Sequence, residues 1–157
     1  AINYDGPETG NPDCMPAEYP YTNYHDKSQL WDFSRFTPQV VCLNLGTNDT
    51  STGIADQARL EEAYYNSVKT LRGYYPNAKI VLLTGSMLGG EELNIVKKAL
   101  DYTRNRARKA GDKEIYRFDM TPQTGSLGYG ADWHPSIAQH EQMAKELTAY
   151  LQSLMNW

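Results

Sequence analysis

Cysteine, histidine and phenylalanine are all scarce in this chain: two, three and three among 157 residues. Two cysteines, Cys14 and Cys42, cannot build the multi-bridge framework that holds small coreless domains together. Whether they form a single bridge stays open, because bridging needs Cα atoms within about 7 Å and the sequence does not place them. A cysteine inside an apolar run usually serves as a small hydrophobe. Long apolar runs are missing as well. None approaches the roughly 20 residues that span a bilayer, and the first residues do not read as a signal peptide, so a soluble chain with no membrane partner is expected. Positive charge is not in excess either. Fifteen Lys and Arg against 19 Asp and Glu give a net charge of −4. No basic stripe follows a phosphate backbone, so nucleic acid is not an expected partner.

What is present suffices for one domain. Apolar residues make up 40% and aromatics 11% of the chain, enough for a sizeable core but not for two comfortable ones. The start, Ala1-Ile2-Asn3-Tyr4, has no initiator methionine, as in a processed or shortened polypeptide. Residues 1–38, with Pro7, Pro12, Pro16, Pro20 and many tyrosines, show no sustained period and read as an irregular aromatic-rich segment. From 39 to 157 strands and helices alternate. The apolar run at 40–45, ended by Gly46, predicts a strand covered on both faces. Leu60, Ala63, Tyr64, Val68, Leu71 and Tyr75 share one helical face, broken at Pro76-Asn77.

Ile80-Val81-Leu82-Leu83 predicts a second buried strand. Leu93, Val96, Leu100, Thr103 and Ala107 predict a helix stopped by Gly111, and Ile115-Tyr116-Arg117-Phe118 a third strand. After a glycine-rich loop at 125–130, Pro135 suits the first turn of a last helix whose inner face is Ile137, His140, Ala144, Leu147, Leu151 and Leu154. The alternation predicts an α/β fold with a parallel sheet. A strand apolar on both faces normally has a neighbour on each edge, and this chain offers few candidates for both. Part of the folded unit, including a strand N-terminal to Ala1, is therefore expected outside the sequence. Five or more parallel strands built wholly from these residues would contradict that.

Two short stretches carry candidate chemistry. Gly46-Thr47-Asn48-Asp49 stands at the C-terminal end of the first predicted strand, the edge at which open α/β sheets bind ligands; the plainer reading of Asn48 and Asp49 is a turn and helix cap. Gly130-Ala131-Asp132-Trp133-His134-Pro135-Ser136 precedes the last helix. An aspartate two residues before a histidine can orient the imidazole through its Nδ1 proton, leaving the other nitrogen as a base. The plainer reading is a surface histidine at a helix start.

Together these stretches resemble the third and fifth blocks of the SGNH hydrolases, and with the aromatic leader they are most similar to family 2 carbohydrate esterases. The resemblance runs through nearly the whole chain. It implies a three-layer αβα, flavodoxin-like fold of which this chain supplies the later strands and helices. It also implies His134 as general base and then acid, Asp132 as its orienting carboxylate and Asn48 as an oxyanion-hole donor. The single residue between Asp132 and His134 is the spacing that family 2 resemblance leads one to expect, although some members lack the acid and use a backbone carbonyl instead. The first block, Gly-Asp-Ser, and the second block with an oxyanion glycine are not in this chain. Ser34, Ser86, Ser126 and Ser136 do not stand in such a context. The nucleophile is therefore expected on an N-terminal segment of the same enzyme.

The resemblance further implies removal of O-acetyl groups from plant cell-wall xylan or glucomannan by a secreted or cell-surface bacterial-type enzyme. Trp133, Gly46, Asp49 and Tyr4 are the candidate substrate contacts, with Tyr19, Tyr21, Tyr24 and Trp31 as further aromatic faces suited to sugar. No cofactor and no metal is expected; Asp49, Asp132 and His134 as a divalent-ion site is the weaker alternative. His25 and His140 read as structural. The competing functions are a non-catalytic carbohydrate-binding module and an SGNH lipase or thioesterase.

Overall fold

A computed structural model describes residues 1–2, 14–24, 26–51 and 56–157 of the chain. A helical turn at Met15–Glu18 (α1) leads into an antiparallel hairpin of Tyr21–Asn23 (β1) and Asp26–Leu30 (β2). Three parallel strands follow, Val40–Asn44 (β3), Lys79–Thr84 (β4) and Ile115–Asp119 (β5), hydrogen-bonded in the order β3-β4-β5. The helices are Thr47–Thr50 (α2), Gln57–Tyr74 (α3), Gly90–Lys109 (α4) and Ile137–Met155 (α5).

The period of two along β4 divides the core between two layers. Ile80 and Leu82 pack with Leu60, Tyr64 and Val68 of α3 and Val96 and Leu100 of α4, while Val81 and Leu83 meet Met143, Leu147 and Leu154 of α5. Helices thus cover both faces of a parallel sheet: the alternation predicts the parallel sheet, and the resemblance implies the three layers. Leu60, Tyr64, Ile80, Val81, Leu82, Val96, Leu100 and Ile115 are completely buried; burial of each aliphatic chain stabilises the fold by about 1.5–3 kcal/mol. The predicted inner faces of α3 and α4 are the ones buried.

Helix ends follow local chemistry. The Asp56 side chain accepts from the Arg59 N–H and caps α3. Glu91 and Glu92 lie in the first turn of α4 and Arg106, Arg108 and Lys109 in its last, each sign suiting the helix dipole. At the other end of the sheet Arg72 binds both oxygens of Asp112 at 2.8 and 3.1 Å and donates to the Tyr75, Pro76 and Ala78 carbonyls. One guanidinium so ties the α3–β4 turn to the α4–β5 connection.

Three expectations change. Residues 1–38 include a hairpin; its strand β2 is exposed at every position, so no apolar alternation betrays it. Pro135 is not inside α5. It forms a bridge with Tyr129, and Ser136 caps α5 by accepting from the Gln139 N–H. The inner face of α5 is also turned: Ile137 is 81% exposed and His140 and Ala144 face solvent, while Gln139 is buried and Met143, Leu147, Tyr150, Leu151 and Leu154 pack inward. Cys14 and Cys42 are not bridged to each other.

β3 is an edge strand, with β4 as its one partner among the described residues. Its Val40, Val41 and Leu43 are half-buried and its Cys42 and Asn44 exposed, although the sequence suits cover on both faces. Beside it, between Val41, Leu43 and Leu45 and the α3 residues Ala63, Ser67 and Leu71, lies an open, mainly apolar cavity of about 400 Å³.

Candidate active site at the C-terminal edge of the sheet

β3 delivers the chain to Gly46, whose φ of +107° and tight surroundings both call for glycine: a β-carbon there would come within 2.6 Å of Tyr64 Oη and 3.0 Å of Val96. The turn is held by Tyr64 Oη donating to the Leu45 carbonyl at 2.7 Å and by Thr50 Oγ1 donating to the Gly46 carbonyl at 3.2 Å. Burial, then the nearby Asp49 charge, pushes the Tyr64 phenol's pKa well up, so it remains the donor this bond needs. α2 then begins, with Asn48 exposed and Asp49 facing inward. Asp49 is 1% exposed, and both of its oxygens accept the Ile2 N–H at 3.0 Å. Gly46 and Asp49, expected as substrate contacts, are instead buried supports of the turn that presents Asn48.

The histidine loop leaves the same edge of the sheet beyond β5. Asp132 and Trp133 both adopt left-handed backbone, with φ of 49° and 62°. That conformation costs a non-glycine residue roughly 1–2 kcal/mol and is least expected of a bulky one. Surrounding bonds hold it: His134 N–H to the Ala131 carbonyl at 3.0 Å, Gly130 N–H to the His134 carbonyl at 2.7 Å, Gln123 Nε2 to the Trp133 carbonyl at 2.7 Å and Ser136 Oγ to the Leu127 carbonyl at 2.7 Å.

The imidazole of His134 has its Nδ1 3.0 Å from the Ala131 carbonyl oxygen. A carbonyl only accepts, so Nδ1 carries a proton, and in the neutral ring the lone pair is on Nε2. Asp132, expected in that orienting place, makes no hydrogen bond to the ring among the described residues; with Trp133 it forms the middle of the turn in which the Ala131 carbonyl meets Nδ1. Trp133 is 72% exposed beside the histidine, and Tyr129 meets its ring edge-on at 5.1 Å between centroids. Tyr129 and Gln123 were not foreseen from the sequence; a backbone carbonyl in place of the acid is the alternative that the resemblance allows, and Ala131 supplies it. The glycine-rich character of 125–130 was the one available sign, since a β-carbon at Gly125 would come within 2.8 Å of the Tyr129 ring.

A chain of contacts joins the two loops across β4. A β-carbon at Gly85 would lie 3.1 Å from Asn44 Oδ1 and 3.7 Å from Thr47 Oγ1, and the neighbouring Ser86 carbonyl accepts the Gln123 N–H at 2.8 Å. Gln123 in turn reaches Trp133. Asn48 and His134 are thus carried on one edge. No serine in the described residues is bonded to the imidazole: Ser34 donates to Asp32, Ser86 to Met143 and Ser136 to Leu127, and Ser126 accepts from Thr124. Asp49, Asp132 and His134 do not form a metal-type cluster, and none of three or more such ligands occurs among the described residues. Tyr4 and His25 lie outside the described residues.

The architecture has clear counterparts. "Cellulase/esterase CelE" of Acetivibrio thermocellus is 42% identical over 139 residues, which cover 88% of this chain and 17% of that protein. An "acetylxylan esterase / glucomannan deacetylase" of Cellvibrio japonicus is 33% identical over 145 residues, 91% of this chain and 38% of that one. The solved structure of a family two carbohydrate esterase from Clostridium thermocellum, in complex with cellohexaose, superposes with a TM-score of 0.92 at 38% identity, covering all of this chain and 48% of that one. The chain therefore spans under two fifths of these curated relatives and about half of the solved one. Residues 18–147 match the GDSL-like lipase/acylhydrolase family, so the chain belongs to that family, with the SGNH hydrolase fold, and lies close to the family 2 carbohydrate esterases.

Proposed function

We propose that this chain supplies the base and an oxyanion donor of a serine esterase that removes O-acetyl groups from cell-wall polysaccharide such as xylan or glucomannan. The observation that carries the reading is the His134 ring, fixed in the Nδ1–H tautomer by the Ala131 carbonyl on the same sheet edge as Asn48. The substrate class rests on the names of the relatives, an acetylxylan esterase and glucomannan deacetylase among them.

In this mechanism His134 Nε2 takes the proton of a serine hydroxyl as the serine oxygen attacks the acetyl carbonyl carbon. The oxyanion that forms accepts the Asn48 side-chain N–H, a contact worth about 3 kcal/mol when preorganised. His134 returns the proton to the sugar oxygen as that C–O bond breaks. Water then attacks the acetyl-serine with His134 again as base, releasing acetate. Trp133 and Tyr129 offer ring faces to the sugar. No cofactor enters these steps.

The nucleophile comes, on this reading, from an N-terminal segment of the same enzyme whose strand completes the sheet at β3. The half-buried apolar side chains of β3 and the cavity beside it support that placement, as does the greater length of the relatives. A polymeric wall substrate places the enzyme outside the cell or on its surface. The second reading, non-catalytic binding of a glucan, is favoured by the cellohexaose bound to the Clostridium thermocellum esterase.

Acetate release from acetylated xylan by the complete enzyme distinguishes the two. His134→Ala is expected to abolish turnover, and Asn48→Ala to lower it about a hundredfold through the lost oxyanion donor. Wild-type rates in His134→Ala would refute the assignment. Absent hydrolysis with retained cellohexaose affinity in the unaltered enzyme would establish the binding reading, and preference for long acyl esters would instead indicate a lipase or thioesterase.

A further inference from the structure

We infer that Gln123 is a positioning residue for the catalytic histidine, an inference that rests on the esterase reading of His134. Its main chain and side chain serve two loops at once: the Gln123 N–H donates to the Ser86 carbonyl at 2.8 Å, and Nε2 donates to the Trp133 carbonyl at 2.7 Å. The Trp133 carbonyl and the His134 N–H belong to one planar peptide unit. Gln123 holds one end of that plane and the Ala131 carbonyl holds the other at 3.0 Å. With both ends fixed the plane cannot rotate, and the plane sets where the His134 Cα–Cβ bond points. The Ala131 carbonyl that fixes the plane also takes the Nδ1 proton. Rotation would therefore move the ring and its tautomer-fixing acceptor relative to each other.

Two further facts make this hold necessary. Asp132 and Trp133 immediately before the plane are left-handed, at φ of 49° and 62°, so relaxation of that backbone is downhill unless something opposes it. Trp133 is also 72% exposed, so its side chain is not buried in a way that would lock the turn. Gln123 itself bears a cost, because its Oε1 is buried with no hydrogen-bond partner. An apolar side chain of equal length would avoid that orphaned acceptor but could not donate to Trp133. Through the Ser86 carbonyl the same residue registers the histidine loop against the end of β4, and so against the neighbouring loop that bears Asn48.

The test uses the complete esterase with 4-nitrophenyl acetate and acetylated xylan, comparing Gln123→Met and Gln123→Glu with the unaltered enzyme and with His134→Ala. Methionine keeps the length and removes the donor; glutamate places an acceptor against the Trp133 carbonyl. Gln123→Met is expected to lower kcat about tenfold with KM within about twofold and little change in melting temperature. Gln123→Glu is expected to lose at least as much. In both, the Nδ1 proton signal of His134 in the NMR spectrum should shift and exchange faster with water, which a purely structural role would not cause in folded protein. Rates within twofold of wild type in both variants, or an unchanged Nδ1 signal in the folded fraction, would overturn the inference. Turnover that persists in His134→Ala would instead sink the esterase reading beneath it, so the two failures are separable.

Discussion

β5 at one edge of the sheet is fenced by charge and covered by a helix, whereas β3 at the other carries apolar side chains half in solvent. On β5, Arg117 grips Asp119 through two bonds of 2.7 and 2.5 Å and reaches Asp101 of α4 at 2.6 Å, and Lys97 approaches Asp119 at 3.2 Å. Phe118 stacks on Tyr150 of α5 at 4.7 Å. Such charge along an edge discourages pairing with another strand. β3 has no counterpart to this fence among the described residues. Its Cys42 and Asn44 are exposed, its Val41 and Leu43 border the cavity, and of its side chains only Val40 joins the cluster that α5 makes with β4 and β5 among the described residues. Among the described residues one edge is fenced by charge, and the other has the composition of an interior strand.

The comparison is sharpest if each edge is altered in turn. The largest effect is expected from Cys42→Lys. Under the proposed completion of the sheet this position is covered in the whole enzyme, so an unpaired ammonium there should destabilise it by about 3 kcal/mol or more in urea unfolding. A loss below about 0.5 kcal/mol would mean that nothing covers β3. Arg117→Met at the other edge should cost about 1 kcal/mol, because Asp119 keeps Lys97 and Asp101 keeps Arg104 while the core stays intact.

The smallest effect concerns acid. Burial alone would raise the Asp119 carboxyl, but hydrogen bonds and charge from Arg117, and then from Lys97, outweigh it and hold the carboxyl below its usual range. A depressed carboxyl stabilises the fold above its unfolded value near 4 and loses that contribution as pH falls through the lower folded value. Stability should therefore decline as pH drops below about 4, and Arg117→Met should flatten that decline. An unchanged acid limb in the variant would contradict the assignment.

How much of this is written in the sequence depends on burial. α3, α4 and the three parallel strands announce themselves because Leu60, Val68, Leu82, Val96 and Ile115 recur with the period of their elements. The hairpin does not, since β2 exposes both faces. α5 was legible as a helix but not in its phase: the apolar Ile137 and Ala144 suggest one face, while Met143 and Tyr150 beside them bury the other. At the site, His134 and Asn48 are singled out by their likeness to the fifth and third blocks of the SGNH hydrolases, because alone they read as a helix-start histidine and a turn. The resemblance offers a backbone carbonyl as the alternative to Asp132 without saying which residue supplies it, and Gln123 could not be singled out, because a glutamine in a loop looks like solvent. Asp49 illustrates the converse, a motif residue whose carboxylate is absorbed by the backbone of Ile2.

The central claim is that this chain holds the base side of a serine esterase whose nucleophile joins it at the β3 edge. Labelling the complete enzyme with a serine-directed fluorophosphonate, followed by mass spectrometry of its peptides, tests this most directly. The account predicts a single modified serine outside residues 1–157 and its loss of labelling in His134→Ala. A label on Ser34, Ser86, Ser126, Ser136 or any other serine within the chain would contradict it.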